Sequence, residues 1–268
     1  MRGGPDVARM PVSRREFLGT AVGAAALAGL GSQALAAPFS GDLVWKTAGQ
    51  IAQMIRDKQT TSVEVVKACY ARIEEVNPKI NAVVAICRER ALAEAQLADE
   101  ALAAGRILGP LHGVPFTVKD SFDTEGVVST GGTLGRKGYV PGRHATVVAR
   151  VRKAGAILLG KTNTPEFTLG GGARETYNLL FGQTYNPYNT AYLCSGSSGG
   201  AGAGYGGMTS EYNTTGWPAG VVRAGTSKDE PGLPLGIMAV AQPWRDDVVL
   251  AALSFIEGKT GGWQKPPI

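Results

Sequence analysis

Two short apolar segments joined by one helical segment constrain the fold more than any other feature of this chain. GVPFTVKD at 113–120 and AILLGKTN at 156–163 each predict a buried strand, and HATVVARVRKAG at 144–155 predicts a helix that ends at Gly155. Buried strands on either side of a helix are typical of a parallel βαβ unit, because parallel neighbours need a crossover connection. The pattern therefore predicts an α/β fold.

The segments on either side of this unit also follow helical or strand patterns. Thr61 and Glu64 have the spacing of a capping box, Pro78 is expected to stop the helix that they start, and Gly105 is expected to close the next one. The last helix is expected to be capped by an Asp and to end at Gly258. The glycine-, asparagine- and tyrosine-rich stretch 168–205 predicts a loop. The remaining predicted elements are helices at 47–59, 61–78, 88–105 and 245–258 and strands at 80–86, 220–225 and 234–243.

The first 36 residues are expected to lie outside the fold. A twin arginine at 14–15, a mildly apolar run and Ala34-Leu35-Ala36 are typical of a Tat export signal with its cleavage site. The alternative is a transmembrane anchor over 17–35, which the glycine- and alanine-rich composition disfavours. We therefore expect a signal peptide at 1–36, a mature chain at 37–268 in the periplasm or outside the cell, and no stable membrane anchor after cleavage.

Charge and cysteine content exclude several classes of protein. The chain has 27 Lys and Arg against 22 Asp and Glu, a net charge of +5, and four of the basic residues lie in the first fifteen positions. Without a basic run interleaved with aromatic residues, nucleic acid is not expected as a partner.

Cys69, Cys87 and Cys194 lack the close spacing of a metal site, so no metal is expected. All three are expected to be buried and to pack as small apolar residues. The sequence does not decide whether Cys69 and Cys87 form a disulfide.

Two motifs fit well-known patterns but lack the surroundings that those patterns require. Gly155 to Thr162 fits the phosphate-binding pattern G-x-x-x-x-G-K-[ST], but its middle residues Ala-Ile-Leu-Leu predict a strand and not a phosphate loop. Gly196 to Gly200 fits the nucleophile-elbow pattern G-x-S-x-G around Ser198. That mechanism needs a histidine downstream of the serine, whereas His112 and His144 both lie upstream. Neither pattern is therefore taken as the site.

A lysine base fits the chain better. Lys119 follows an apolar strand, and burial at a strand end would lower its pKa because the charged form loses its water. A neutral lysine can accept a proton from a serine hydroxyl, as in Ser-Lys variants of the catalytic triad. The alternative is a surface lysine paired with Asp120, and the spacing alone leaves both open.

With these residues in view, the chain resembles the amidase signature family. The resemblance is carried by GPLHGVPFTVKDSFDTEGVVSTGGT, HATVVARVRKAGAILLGKTNTPEF, the loop SGSSGGAGAG and the C-terminal stretch from NTTGWPAG to LSFIE. It implies a mixed sheet layered with helices, no cofactor or metal, and hydrolysis of a small-molecule carboxylic amide through an acyl-enzyme. It implies Lys119 as general base and Ser197 as the cis-serine that relays the proton. It implies a supporting role for the neighbouring loop residues Ser198, Gly196, Gly199 and Gly200. It does not imply any particular oligomeric state.

The sequence departs from the family at the nucleophile. The family serine follows the cis-serine by about two dozen residues in a segment like G-T-D-x-G-G-S, which this sequence lacks. We therefore expect an internal deletion with a junction near Tyr205 to Met208, an incomplete fold made of parts 37–205 and 206–268, and no identified nucleophile. Loss of central strands is expected to leave exposed apolar faces and unpaired strand edges.

The missing segment leaves three interpretations of function. Ser210 and Ser227 are not expected to replace the nucleophile, since neither lies in a glycine turn that could donate N–H groups to an oxyanion. The first interpretation is an amidase-family hydrolase of severely reduced activity. The second is a non-catalytic deletion remnant or misassembled gene product. The third is a binding module that holds amides without cleaving them.

Overall fold

The computed structural model describes residues 43–169, 176–194, 197–198, 217–229 and 232–268. The helices are α1 Ala48–Arg56, α2 Ser62–Ile80, α3 Arg88–Ala103, α4 Thr146–Lys153 and α5 Asp246–Thr260. The strands are β1 Val83–Ile86, β2 Pro115–Lys119, β3 Ile157–Thr162, β4 Tyr177–Asn178, β5 Gly182–Gln183, β6 Ala219–Thr226 and β7 Pro234–Val240. This α/β architecture confirms the predicted fold class. The predicted signal peptide and the expected junction near 205–208 lie outside the described residues.

A three-stranded sheet in the order β1-β3-β2 lies at the centre of the first part of the chain. β2 and β3 pair in parallel across α4, which confirms the predicted βαβ unit, and β1 adds to β3 in the antiparallel sense. The pairing of β2 with β3 skips one residue. Phe116 lies opposite Leu158 and Thr117 lies opposite Gly160, so β3 carries an extra residue at Leu159. Such a bulge reverses which face the following side chains point to.

Helices α2 and α3 cover one face of this sheet. Ala91, Ala95 and Ala98 of α3 share a buried cluster with Ile157 and Leu159 of β3, because alanines four or three apart lie on one side of a helix. Tyr70 of α2 is fully buried there, and its hydroxyl donates to the carbonyl of Leu159 at 2.8 Å. On the opposite face, Leu158 packs with Cys87 and Val127.

The helix ends follow the sequence signals at some positions and not at others. The capping box of Thr61 and Glu64 is present, and Gly105 and Gly155 take the positive φ angles of 74° and 94° expected just after a helix. Pro78 does not stop α2, which runs to Ile80 and ends at a left-handed Asn81. A proline this close to a helix end removes one N–H bond while the following turn still forms.

The end of α5 also differs from the prediction. The helix passes through Gly258 and ends at Thr260, followed by a left-handed Gly261. Its N-cap is Arg245, without a side-chain cap, and Asp246 lies in the first turn, where a carboxylate still interacts favourably with the helix dipole.

A hairpin of β6 and β7 packs against α5. Gly220 permits this close approach, since a Cβ at that position would lie 2.5 Å from Leu253 of the helix. Several large apolar side chains of this unit remain exposed: Val221, Leu235, Ile237, Leu250 and Phe255. An exposed apolar surface of this kind is typical of an interaction face or of a fold that lacks a neighbour.

The cysteines are all free thiols. Cys87 and Cys194 are buried and Cys69 is partly buried, which agrees with the expectation of small hydrophobes and leaves the Cys69–Cys87 disulfide unformed. The described residues contain no cluster of side chains that could hold a metal ion. Among the helices in the described part of the chain, none has the length and apolar character that crossing a membrane requires.

Candidate active site

The site is built around a lysine and a serine that come from distant parts of the chain. Lys119 is the last residue of β2, and its Nζ lies 2.9 Å from Oγ of Ser197, which follows it by 78 positions. The parallel pairing of β2 with β3 places this strand end beside the segment that follows β3. Both side chains are half-buried, so a small molecule could still approach them.

Burial lowers the pKa of Lys119 below its ordinary value, because the ammonium loses part of its hydration. Asp120 does not neutralise it. The Asp120 carboxylate instead accepts the Thr130 N–H at 3.1–3.2 Å and the Thr130 hydroxyl, which binds it to the loop after β2. In the described parts of the chain no carboxylate lies within 4 Å of the Lys119 ammonium. The predicted alternative of a Lys119–Asp120 pair is therefore wrong, and Lys119 can supply a neutral amine more readily than an exposed lysine.

A buried polar network holds Ser197 from its backbone side. The hydroxyl of Thr164 donates to the carbonyl of Ser197 at 2.9 Å. Asn178 donates to the carbonyl of Thr164 and to the side-chain oxygen of Asn163, each at 2.7 Å, and Asn163 donates to Thr184 at 2.9 Å. Asn163, Thr164, Asn178 and Thr184 are almost completely buried. Sequence reasoning missed this network, although the run of polar residues that directly follows the apolar strand in GKTNTPEF was a signal for it.

The structure brings together only two of the residues that the sequence analysis singled out. Ser198 is exposed and makes no hydrogen bond to any described residue. Gly196, Gly199, Gly200 and Ser210 lie outside the described residues, as does the Gly196–Ser197 peptide bond that the cis-serine role concerns. Ser227 lies just after β6, where its N–H donates to the carbonyl of Leu233.

The structure excludes the phosphate loop and places neither histidine at the Lys119–Ser197 pair. Residues 157–162 of the phosphate-loop pattern form the fully buried strand β3. The imidazole Nδ1 of His112 accepts the Leu108 N–H and that of His144 accepts the Glu125 N–H, each at 3.0 Å. Neither histidine has a hydrogen bond to Lys119 or Ser197, so the described site contains no histidine base.

A surface cleft adjoins the polar network. Its volume is about 380 Å³, and Asn178, which bonds to Thr164, forms part of its wall. The other lining residues are mainly apolar: Glu166, Phe167, Leu169, Tyr177 and Leu179.

Comparison with known proteins gives consistent matches. A family model described as Amidase matches residues 64–207, more than half of the chain. A glutamyl-tRNA(Gln) amidotransferase subunit of Acidothermus cellulolyticus is 41% identical over 162 residues, which cover 60% of this chain and 32% of that protein. Indoleacetamide hydrolase of Bradyrhizobium diazoefficiens is 44% identical over 161 residues, which cover 60% of this chain and 30% of that protein.

Solved structures give the same result. The crystal structure of a bacterial aryl acylamidase of the amidase signature family superposes with a TM-score of 0.55 at 34% identity, over 59% of this chain and 33% of that one. The chain spans about a third of the length of the relatives that it matches. Since the family match covers more than half of the chain and includes both Lys119 and Ser197, the chain belongs to the amidase signature family.

Proposed function

We propose that this chain carries the base and the relay of a Ser-cisSer-Lys amide hydrolase, with Lys119 as base and Ser197 as relay. The observation that carries the proposal is the 2.9 Å contact between Lys119 Nζ and Ser197 Oγ, at a lysine whose pKa burial lowers. This distance suits proton transfer in either direction. Neutral Lys119 takes the Ser197 proton, and Ser197 in turn takes a proton from an attacking water, whose oxygen adds to the amide carbon because the family's nucleophilic serine is absent.

We further propose that the chain hydrolyses amides only weakly. The family segment that supplies the nucleophile and the oxyanion donors is absent from the sequence, and the matched residues cover only about a third of each relative. Losing a single oxyanion donor costs roughly 10²–10³ in rate, and without the nucleophile the acyl-enzyme route is closed. An internal deletion near residues 205–208 accounts for both features.

The cleft beside the network supports amides with an apolar acyl or aryl group as the substrate class. Phe167, Leu169 and Leu179 would contact such a group, and Asn178 connects the cleft wall to the residues that hold Ser197. Two of the relatives are named for amides of this kind, an indoleacetamide hydrolase and an aryl acylamidase. Indole-3-acetamide and 4-nitroacetanilide are therefore the substrates to test first.

The test is hydrolysis of these two amides by the purified mature chain and by three variants. Lys119→Ala and Ser197→Ala remove the proposed base and relay, and Lys153→Ala is a matched control at an exposed lysine of α4. We expect the unmodified chain to hydrolyse these amides at least about a hundredfold more slowly than a full-length family amidase. This residual activity should be lost in Lys119→Ala and Ser197→Ala and kept in Lys153→Ala. Full family-like rates would contradict the proposed impairment. Residual activity that survives Lys119→Ala would contradict the assigned base.

The second candidate is a non-catalytic deletion product. The exposed apolar side chains of β6, β7 and α5 favour it, because a complete sheet would cover them. Sequencing the gene and its transcript separates the candidates. A G-T-D-x-G-G-S segment found between Gly204 and Met208 would restore an ordinary amidase and remove this candidate.

We also propose export by the Tat pathway, on the twin arginine at 14–15 and the Ala34-Leu35-Ala36 site. Replacing both arginines with lysine should retain the chain in the cytoplasm, as measured by fractionation of the producing cells. Unchanged export of this variant would contradict the proposal.

A further inference from the structure

A second lysine, Lys161 of β3, is completely buried and serves no role in the proposed proton relay. Its side chain has 0% exposure. The Nζ donates to the carbonyl of Phe122 at 2.6 Å, to Oγ of Ser129 at 2.8 Å and to Oγ1 of Thr124 at 3.1 Å. All three protons of the ammonium are therefore used on residues of the loop that follows β2, which we call the 121–132 loop.

Among the described residues, the ammonium of Lys161 has no direct counter-ion. In the described parts of the chain no carboxylate lies within 4 Å of it. The pKa of Lys161 is lowered to about 8, mainly by burial and to a smaller extent by Arg136, whereas Asp120, Asp123 and Cys87 act in the opposite direction. A buried lysine is costly for a fold, so three neutral acceptors aimed at one ammonium indicate that the position does more than fill space.

Lys161 cannot act on a substrate at the Lys119 site. Val118 pairs with Lys161 and Lys119 pairs with Thr162, so the two lysines lie on opposite faces of the sheet. The bulge at Leu159 produces this arrangement, since it turns Lys161 to the face of Leu158 and away from helices α2 and α3. Any effect of Lys161 on the site must therefore pass through the 121–132 loop.

The 121–132 loop connects Lys119 with the group that holds Ser197. At its start, Phe122 donates its N–H to the carbonyl of Lys119 at 3.0 Å. At its far end, Gly132 lies against the backbone after β3, where a Cβ on Gly132 would lie 2.8 Å from the carbonyl oxygen of Thr164. Thr164 then donates to the carbonyl of Ser197 at 2.9 Å. The loop thus contacts Lys119 directly and is linked to Ser197 through Thr164.

We propose that Lys161 is a positioning residue for this pair. Its ammonium holds the 121–132 loop against β3, a contact that we call the clamp. The loop in turn sets the distance between Lys119 and Ser197 and keeps water away from their contact. The inference rests on the proposed function, because it assigns Lys161 to the same site. Without the clamp the loop loosens, water reaches Lys119, and the desolvation that keeps Lys119 readily deprotonated is reduced.

The test measures Lys119 directly and needs no turnover. Competitive acetylation with acetic anhydride, followed by mass spectrometry, gives the pH at which Lys119 of the full chain becomes reactive. The proteins are the wild type, Lys161→Met, Ser197→Ala and the exposed-lysine control Lys153→Met, each checked for folding by circular dichroism. We expect Lys161→Met to raise the midpoint pH of Lys119 acetylation by about one pH unit. This shift corresponds to an unprotonated fraction of Lys119 that is about tenfold smaller near neutral pH. Lys153→Met should leave the midpoint unchanged.

The outcomes separate the inference from the proposed function. A Ser197→Ala variant with an unchanged Lys119 midpoint would show that the pair itself is not functional. A Ser197→Ala variant that shifts the midpoint, beside a folded Lys161→Met variant that does not, would overturn the positioning role alone. If Lys161→Met does not fold, Thr124→Val and Ser129→Ala each remove one acceptor of the clamp. Smaller increases in the same direction are then expected, and no increase in either would overturn the inference.

Discussion

Thr164 donates its side-chain hydroxyl to the backbone carbonyl of Ser197 at 2.9 Å, so the serine that faces Lys119 is held from two sides. Thr164 is itself fully buried and Asn178 donates to its carbonyl. Ser197, the proposed relay, is therefore held by a network that has no hydrogen bond to Lys119 among the described residues. Substitutions in this network therefore test the position of Ser197 without replacing Lys119 itself.

Replacing Thr164 with valine keeps its shape and removes the hydrogen bond to Ser197. We expect the free energy of unfolding to fall by about 1–2 kcal/mol, because a partly buried carbonyl loses its donor. Urea denaturation measures this loss. Thr117→Val, at an exposed threonine of β2, is the matched control and should change stability by less than about 0.5 kcal/mol. Equal effects of the two substitutions would contradict the assigned hydrogen bond.

Replacing Gly132 with alanine tests the close approach between the 121–132 loop and Thr164. Gly132 has a φ of 73°, and a Cβ there would lie 2.8 Å from Thr164 O and 3.0 Å from the carbonyl carbon of Pro165. Gly138 has a similar φ of 78° with nothing within 4 Å, so Gly138→Ala isolates the cost of the backbone conformation, about 1 kcal/mol. We expect Gly132→Ala to lose about 1–3 kcal/mol more in the same urea titration. Equal losses would mean that the loop does not press on Thr164.

Stability of the chain should depend on pH through Lys161. Its pKa is about 8 in the folded state against an ordinary value of 10.5, so the unfolded chain binds more protons between these values and stability rises with pH across this window. The wild type should therefore gain up to about 3 kcal/mol relative to Lys161→Met between pH 8 and pH 10.5.

Urea titrations of both proteins at several pH values measure this difference, and Lys153→Met supplies the baseline for removal of one lysine. A difference that stays flat, or falls, as pH rises would contradict the buried ammonium.

The thiols should react slowly in the folded chain. Burial raises the pKa of Cys69 and of Cys194 to about 11, and also raises that of Cys87. Since the thiolate is the reactive form, labelling with Ellman's reagent at pH 8 should be at least about a hundredfold slower than that of free cysteine. Unfolding should release three reactive thiols. A count of one after unfolding would reveal a disulfide that the structure does not have.

The local elements of this fold could be predicted from the sequence with few errors. Strand β2, helix α4 and strand β3 follow the apolar runs and the terminal Gly155, because these patterns act within one element. Most errors fall at the ends of elements, although the two-residue strands β4 and β5 lie within the stretch 168–205 that was predicted to be a loop. Pro78 and Gly258 both lie inside helices, since the stability of the helix as a whole outweighs one unfavourable residue.

The site was less accessible from the sequence alone. The spacing of residues left two roles possible for Lys119, a buried base or a surface partner of Asp120. Only the family resemblance connected Lys119 with Ser197. The buried network of Asn163, Thr164 and Asn178 gave no periodic signal, because the first two come from the segment after β3 and the third from a two-residue strand. Its hydrogen bonds depend on where the chain returns, which no local pattern records.

The sequence by itself determined the βαβ unit, the family and the two residues of the candidate pair, because apolar periodicity and family motifs lie within short stretches of chain. Only the tertiary structure decided which acceptor each lysine meets. Parallel pairing brings the segment after β3 beside Lys119, and Thr164 of that segment holds Ser197, whose Oγ lies 2.9 Å from Lys119 although 78 positions separate them. One extra residue at Leu159 turns Lys161 to the other face and onto the 121–132 loop. Strand register and bulges arise from packing between elements, so they decide the chemistry of side chains that look alike in the sequence.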